Sequence, residues 1–123
     1  MPSSKEFSEL VSLADQMKSG EEGPIVLMNI FTVDAAEEEA LLSAWKHDAD
    51  FMKAQPGYIS TQLHKGIAGS STFVNYAIWE SVASFRAAVT NPEFQKRILA
   101  YPESASKSPH LFKKIAVAGH CVA

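Results

Sequence analysis

The chain has 123 residues, 46% of them hydrophobic, with one cysteine and a formal net charge of −3, which fits one globular domain whose core needs neither disulfide nor metal. Acidic and basic residues are interspersed and build no basic stripe, so nucleic acid is not an expected partner. The lone Cys121 suits a reducing compartment, and there is neither an apolar leader behind a basic patch nor an apolar run of about 20 residues, so a cytoplasmic location without a membrane span is expected.

Residues 3–18 read as a helix, because Ser3 and Glu6 have capping-box spacing and Phe7, Leu10, Val11, Ala14 and Met17 recur at helical intervals. Gly20 and Gly23 end it, so residues 1–23 form a helical extension ahead of a domain over 24–119, with 120–123 as a tail. Residues 25–33, rich in Ile, Val, Leu and Phe, read as a buried strand interrupted by one polar residue, Asn29. Asp34 and Glu37 repeat the capping box, and a long helix to about Ala54 carries Leu41, Trp45, Phe51 and Met52 on an apolar stripe, with His47, Asp48 and Asp50 on a solvated face. Gln55-Pro56-Gly57 stops it.

Residues 58–65 and 72–80 are predicted strands of an antiparallel hairpin, joined by a glycine-containing turn. A helix from Ser81 through Phe85, Ala88 and Val89 breaks at Asn91-Pro92 and resumes through Phe94, Ile98 and Leu99. Residues 101–109 read as loop, and 110–119 as a closing strand. The order is a helix followed by β-α-β-β-α-β, an α+β, ferredoxin-like four-stranded antiparallel sheet with helices on one face. Ile25, Leu27, Phe31 and Phe73 make the other face apolar in this reading, so a homodimer is expected to cover it.

Asn75 and Trp79 are four apart in a strand and share a face with Phe73 and Ala77. Asn29 shares its face with Leu27 and Phe31, and in this topology the two strands are neighbours, so both asparagines can line one cavity. A buried amide without a partner costs about 1–3 kcal/mol. The pair therefore needs a ligand, a water or each other, and a purely structural role stays open at this point. His47, His64, His110 and His120 lack metal-binding spacing, and no glycine-rich nucleotide fingerprint, P-loop or nucleophile elbow is present, so neither metal nor cofactor is expected.

The run Gln55-Pro56-Gly57-Tyr58 through Leu63-His64, then Gly69 and Val74-Asn75-Tyr76-Ala77-Ile78-Trp79-Glu80-Ser81, resembles the antibiotic biosynthesis monooxygenase family of dimeric α/β barrels over about residues 24–119. The likeness is strongest to cofactor-free monooxygenases of aromatic polyketide pathways, which oxidise anthrone-type or hydroquinone-type phenols to quinones with O2. It implies that Asn75, Trp79 and His64 are catalytic and that Asn29, Phe31, Phe73, Phe85 and Arg97 bind a small aromatic substrate. Phe85 stands where the enzyme resembled most has a tyrosine, and Arg97 is the nearest arginine across a gap at Asn91-Pro92. In the haem-degrading branch, helix positions matching Ala88 and Ile98 hold a tryptophan and an iron-ligating histidine, so haem degradation is not implied.

The implied mechanism deprotonates the substrate, with Asn75 and the Trp79 indole holding the oxyanion and His64 as the candidate base. Two other readings stay open: an oxygen-independent isomerase or cyclase, and a non-catalytic binding or stress module whose asparagines satisfy one another. Residues 1–23 are expected to lid the barrel or to lengthen the dimer interface.

Overall fold

A computed structural model describes residues 3–123, in which the strands are β1 (Ser3–Ser4), β2 (Ile25–Thr32), β3 (Tyr58–Lys65), β4 (Thr72–Trp79) and β5 (Ser106–Phe112). The helices are α1 (Leu13–Met17), α2 (Glu38–Met52), α3 (Val82–Val89) and α4 (Pro92–Arg97). The sheet order is β1-β5-β2-β4-β3, in which β5, β2, β4 and β3 are antiparallel and β1 lies parallel to β5. The ferredoxin-like arrangement therefore holds, with one short strand added at its edge. Among the described residues no helix is long and apolar enough to cross a membrane.

Alternation along the strands assigns the two faces. Leu27, Phe31, Phe73, Ala77 and Trp79 are all buried, packed against Leu41 and Ala44 of α2 and Val82, Phe85 and Ala88 of α3. The face expected to await a second copy is thus covered by the chain's own helices. The opposite face carries the half-buried Met28, Ile30, Val74, Tyr76 and Ile78. The sequence alternates apolar residues on both faces of these central strands, so pattern alone could not say which face the helices take.

Three boundaries differ from the sequence reading. The helix expected over 3–18 shrinks to α1, whose capping box is Ser12 with Asp15. Ser3 and Lys5 instead donate backbone N–H groups to the carbonyls of Ala105 and Lys107, both at 2.9 Å, and Glu6 accepts from the Leu13 N–H. An unpaired sheet edge outcompetes local helix hydrogen bonds there. Met1 and Pro2 lie outside the described residues. At α2, Asp34 makes no side-chain cap; a 3-10 turn, Ala35–Glu37, opens the helix instead.

The closing strand is the third difference, running Ser106–Phe112 rather than 110–119. Pro109 argues for a loop, yet it is tolerated for a positional reason. Ala105 and Lys107 turn their carbonyls outward to the amino-terminal segment, and Pro109 falls in the same alternation, so its missing N–H faces the edge and not β2. Beyond Phe112, Ile115 and Val117 are exposed, and Val117 only bridges to Cys121.

Gln16 completes the edge. Its Nε2 donates to the Leu111 carbonyl and its Oε1 accepts from the Leu111 N–H, both at 2.9 Å, as a neighbouring strand would. Gln16→Ala is expected to destabilise the fold by about 1–3 kcal/mol, the cost of leaving part-buried polar groups unpaired. Urea unfolding reads the loss, and hydrogen exchange should speed up at the Leu111 amide in particular.

One register break remains. Tyr58 pairs with Trp79 but Ser60 with Ile78, so Ile59 is an extra residue in β3. Because of it, Tyr58, Thr61 and Leu63 stand opposite Trp79, Ala77 and Asn75 on the helix-covered face.

Candidate active site

A cavity of about 260 Å³ lies between the sheet and the helices, close to the lower end of about 300 Å³ usual for small-molecule sites. Its floor is β2 and β4, where Asn29 and Asn75 are directly opposite in register. The Thr61 hydroxyl donates to Asn75 Oδ1, which leaves the Nδ2 donors of Asn75 for the cavity. Asn29 Oδ1 is buried with no partner. The two amides are therefore not satisfied by each other.

Trp79, 1% exposed, closes one end of the floor. Its ring is clamped edge-to-face by Tyr58 at 5.6 Å and Phe85 at 5.9 Å, which holds the indole in one rotamer. Phe31 stacks on Tyr101 at 5.7 Å and 13° to form another wall.

Asp48 enters the cavity from α2 and is 7% exposed. Burial pushes its carboxyl up from 3.8 to about 6, against the opposing pull of the Tyr101 hydrogen bond and of the Lys107, His47 and Arg97 charges. Burial also raises the Tyr101 phenol, with Asp48 adding to the effect, and lowers the Lys107 ammonium, with Asp48 opposing. Lys107 and Tyr101 line the same cavity.

Of the expected site residues, Asn29, Phe31, Asn75, Trp79 and Phe85 meet in the cavity. Phe73 is buried beside Phe31 in the core under Leu41 and does not line it. His64 stands opposite Val74 on the other face of the sheet, exposed, with Nδ1 3.3 Å from the Val74 carbonyl. The regular ladder from Ser60 to Lys65 sets that outcome, with Thr61 opposite Ala77 facing in and His64 opposite Val74 facing out, while the bulge at Ile59 lets Tyr58 face in as well. Arg97 also lies outside: its Nη1 donates to the His47 carbonyl at 2.6 Å and its Nε pairs with Glu93 at 3.1 Å. Among the described residues, no three His, Cys, Asp or Glu side chains gather as a metal site.

Thr61, Asp48, Tyr101 and Lys107 were missed in the sequence. Asp48 had a readable signal, because it lies seven after Leu41 and four before Met52 and so falls on the apolar stripe of α2. Lys107 had none, sitting in a stretch that Pro109 disguised as loop. Ser4, Leu13 and Met17 also reach the cavity, so the amino-terminal segment is part of its wall and not an appendage.

The sequence profile described as antibiotic biosynthesis monooxygenase matches residues 24–98. SnoaB from Streptomyces nogalater, a cofactor-independent oxygenase, superposes with a TM-score of 0.68 at 26% identity, over 80% of this chain and 99% of its own. A candidate monooxygenase from Shewanella loihica PV-4 does so with a TM-score of 0.68 at 35% identity, over 80% of this chain and 100% of its own. A Caulobacter crescentus protein shares the fold at 13% identity, with a TM-score of 0.69 over 77% of this chain and 92% of its own. No curated protein matches the chain in sequence.

Proposed function

The chain belongs to the antibiotic biosynthesis monooxygenase family, and from that premise we propose that it oxidises a phenolic, anthrone or hydroquinone substrate to a quinone with O2, without a cofactor. The observation that supports this most is the facing pair of asparagines beside Trp79 in an otherwise largely apolar cavity. Ground-state O2 is a triplet and reacts slowly with closed-shell organic molecules. A protein without a redox group must therefore make the substrate an electron donor, which means stabilising its anion.

Asn75 Nδ2, oriented by Thr61, and the Trp79 indole N–H hold the developing oxyanion in a largely apolar cavity, where such donors act more strongly than in solution. The anion passes one electron to O2, the radical pair combines to a peroxide that takes up a proton, and loss of water leaves the new carbonyl. One oxygen atom enters the product and the other leaves as water.

A homodimer belongs to the same reading, since a second copy related by a two-fold axis covers the half-buried Met28, Ile30, Val74, Tyr76 and Ile78. Sedimentation equilibrium returning the monomer mass would remove that part.

The test of the activity is O2 uptake by purified protein mixed with anthrone in the presence of a metal chelator. Stoichiometric uptake with formation of anthraquinone supports the reading. A product formed equally well without O2 would turn it to an isomerase or cyclase.

A further inference from the structure

The proposed reaction needs a group that takes a proton, and His64 is on the wrong side of the sheet. We propose that Asp48 is that group: its carboxylate removes the substrate proton whose loss makes the anion that Asn75 and Trp79 hold. This rests on the proposed oxygenase reading, with an anthrone as the substrate.

The geometry carries the assignment. Asp48 projects from α2 and Asn75 from β4, so the two face the cavity from its helix wall and its sheet floor. In an anthrone the acidic C–H lies across the central ring from the carbonyl oxygen that receives the charge. Proton acceptor and oxyanion holder must then stand on different walls. Asp48 Oδ1 is buried with no hydrogen-bond partner, so no group of the fold takes up its acceptor capacity.

The groups facing Asp48 come from every element around it. Tyr101 donates a hydrogen bond to it, Lys107 faces it from β5, and His47 and Arg97 act on it from α2 and α4. Burial outweighs them and keeps the carboxyl near 6, basic enough to take a proton and still largely ionised at neutral pH. The C–H bond breaks, its electron pair passes through the ring to the oxygen, and the proton moves to Asp48. The enolate carbon then bonds to O2 and the peroxide anion takes the proton back from Asp48; the carboxylate next removes the second proton from that carbon, the C–H electron pair forms the new carbonyl as the O–O bond breaks, and Asp48 passes this proton to the departing hydroxide, which leaves as water.

The step is separable from oxygen chemistry. Mixed anaerobically with the wild-type protein, anthrone should give the coloured enolate, with a rate that rises as the pH passes about 6. Asp48→Asn should form it about 10²–10³-fold more slowly, and Asp48→Glu should recover part of the rate. Affinity for anthraquinone, which has no proton to lose, should be the same in wild type and Asp48→Asn, and this checks that the cavity is intact.

Enolate formation by Asp48→Asn at the wild-type rate overturns the assignment, as does a wild type that binds anthraquinone and forms no enolate. If the wild type forms the enolate and Asp48→Asn does not, but neither takes up O2, Asp48 stands as the base and the oxygenase reading falls. If both take up O2 equally, the oxygenase reading stands and Asp48 falls.

Discussion

Asn75→Ala is expected to lower turnover of anthrone by about 10²–10³-fold, the usual loss when one preorganised oxyanion donor is removed. Motivating it is the Thr61 bond to Oδ1, which leaves Nδ2 as the group presented to the cavity. Because the oxyanion develops only as the proton leaves, most of the effect should fall on kcat, with KM less affected. Trp79→Phe keeps most of the buried ring and deletes the N–H; it should cost less, and the double variant should fall short of the product of the two singles, since both donors serve one charge. Thr61→Val should also slow turnover, by less than Asn75→Ala, because it frees the amide to rotate without deleting it. Steady-state O2 uptake across these variants, with thermal melts as a check on folding, decides the matter. Unchanged turnover in Asn75→Ala combined with Trp79→Phe would reject both roles.

Asp48→Asn is expected to stabilise the fold by up to about 3 kcal/mol at neutral pH. The carboxyl sits at 3.8 when exposed and at about 6 in the folded chain, and each pH unit of such a difference corresponds to about 1.4 kcal/mol. The sign follows from where the proton binds more tightly. The folded chain holds it more tightly than the unfolded one, so the wild type carries no penalty below about 3.8, a growing penalty between there and about 6, and the full penalty above. An asparagine does not ionise and still offers an oxygen to Tyr101. Urea unfolding free energies of the two proteins should therefore converge in acid and separate as the pH rises. Parallel curves across that window would mean that Asp48 titrates as an ordinary surface carboxyl. A more stable but slower variant is the expected mark of a residue kept for chemistry at the expense of the fold.

The architecture was largely legible because β2, α2, β3, β4, α3 and α4 each have a strong period bounded by Gly, Pro or a capping residue. What escaped were features set by tertiary partners. Ser3 and Ser4 have no strand propensity of note, and they are extended because β5 offers an edge. Pro109 hides a strand because its missing donor points where nothing needs it. At the site, Asn75 and Trp79 stood out as polar groups in apolar strands, and the register brought Asn29 to them. His64 was expected at the site from the family resemblance alone, and the strand pairing puts it opposite Val74 on the exposed face of the sheet. Asp48 was hidden among charged neighbours on a helix whose spacing, counted from Leu41, aimed it at the sheet. The profile match begins at residue 24, so Ser4, Leu13 and Met17 are cavity residues supplied from outside the matched region.

The extra residue in β3 makes chain length locally negotiable. Loss of Ile59 would leave Tyr58 opposite Trp79 and Ser60 opposite Ile78, an unbroken ladder with every inward side chain retained. Loss of Gln62, three positions on, has no such slack: one end of the strand must turn over, so that either Leu63 and Lys65 leave the helix side or Thr61 leaves Asn75. Relatives that differ by a single deletion in this strand are thus sorted by where it falls. A shortening at the bulge keeps the hydroxyl that aims the Asn75 amide, and one in the middle of the strand must break up the inward row.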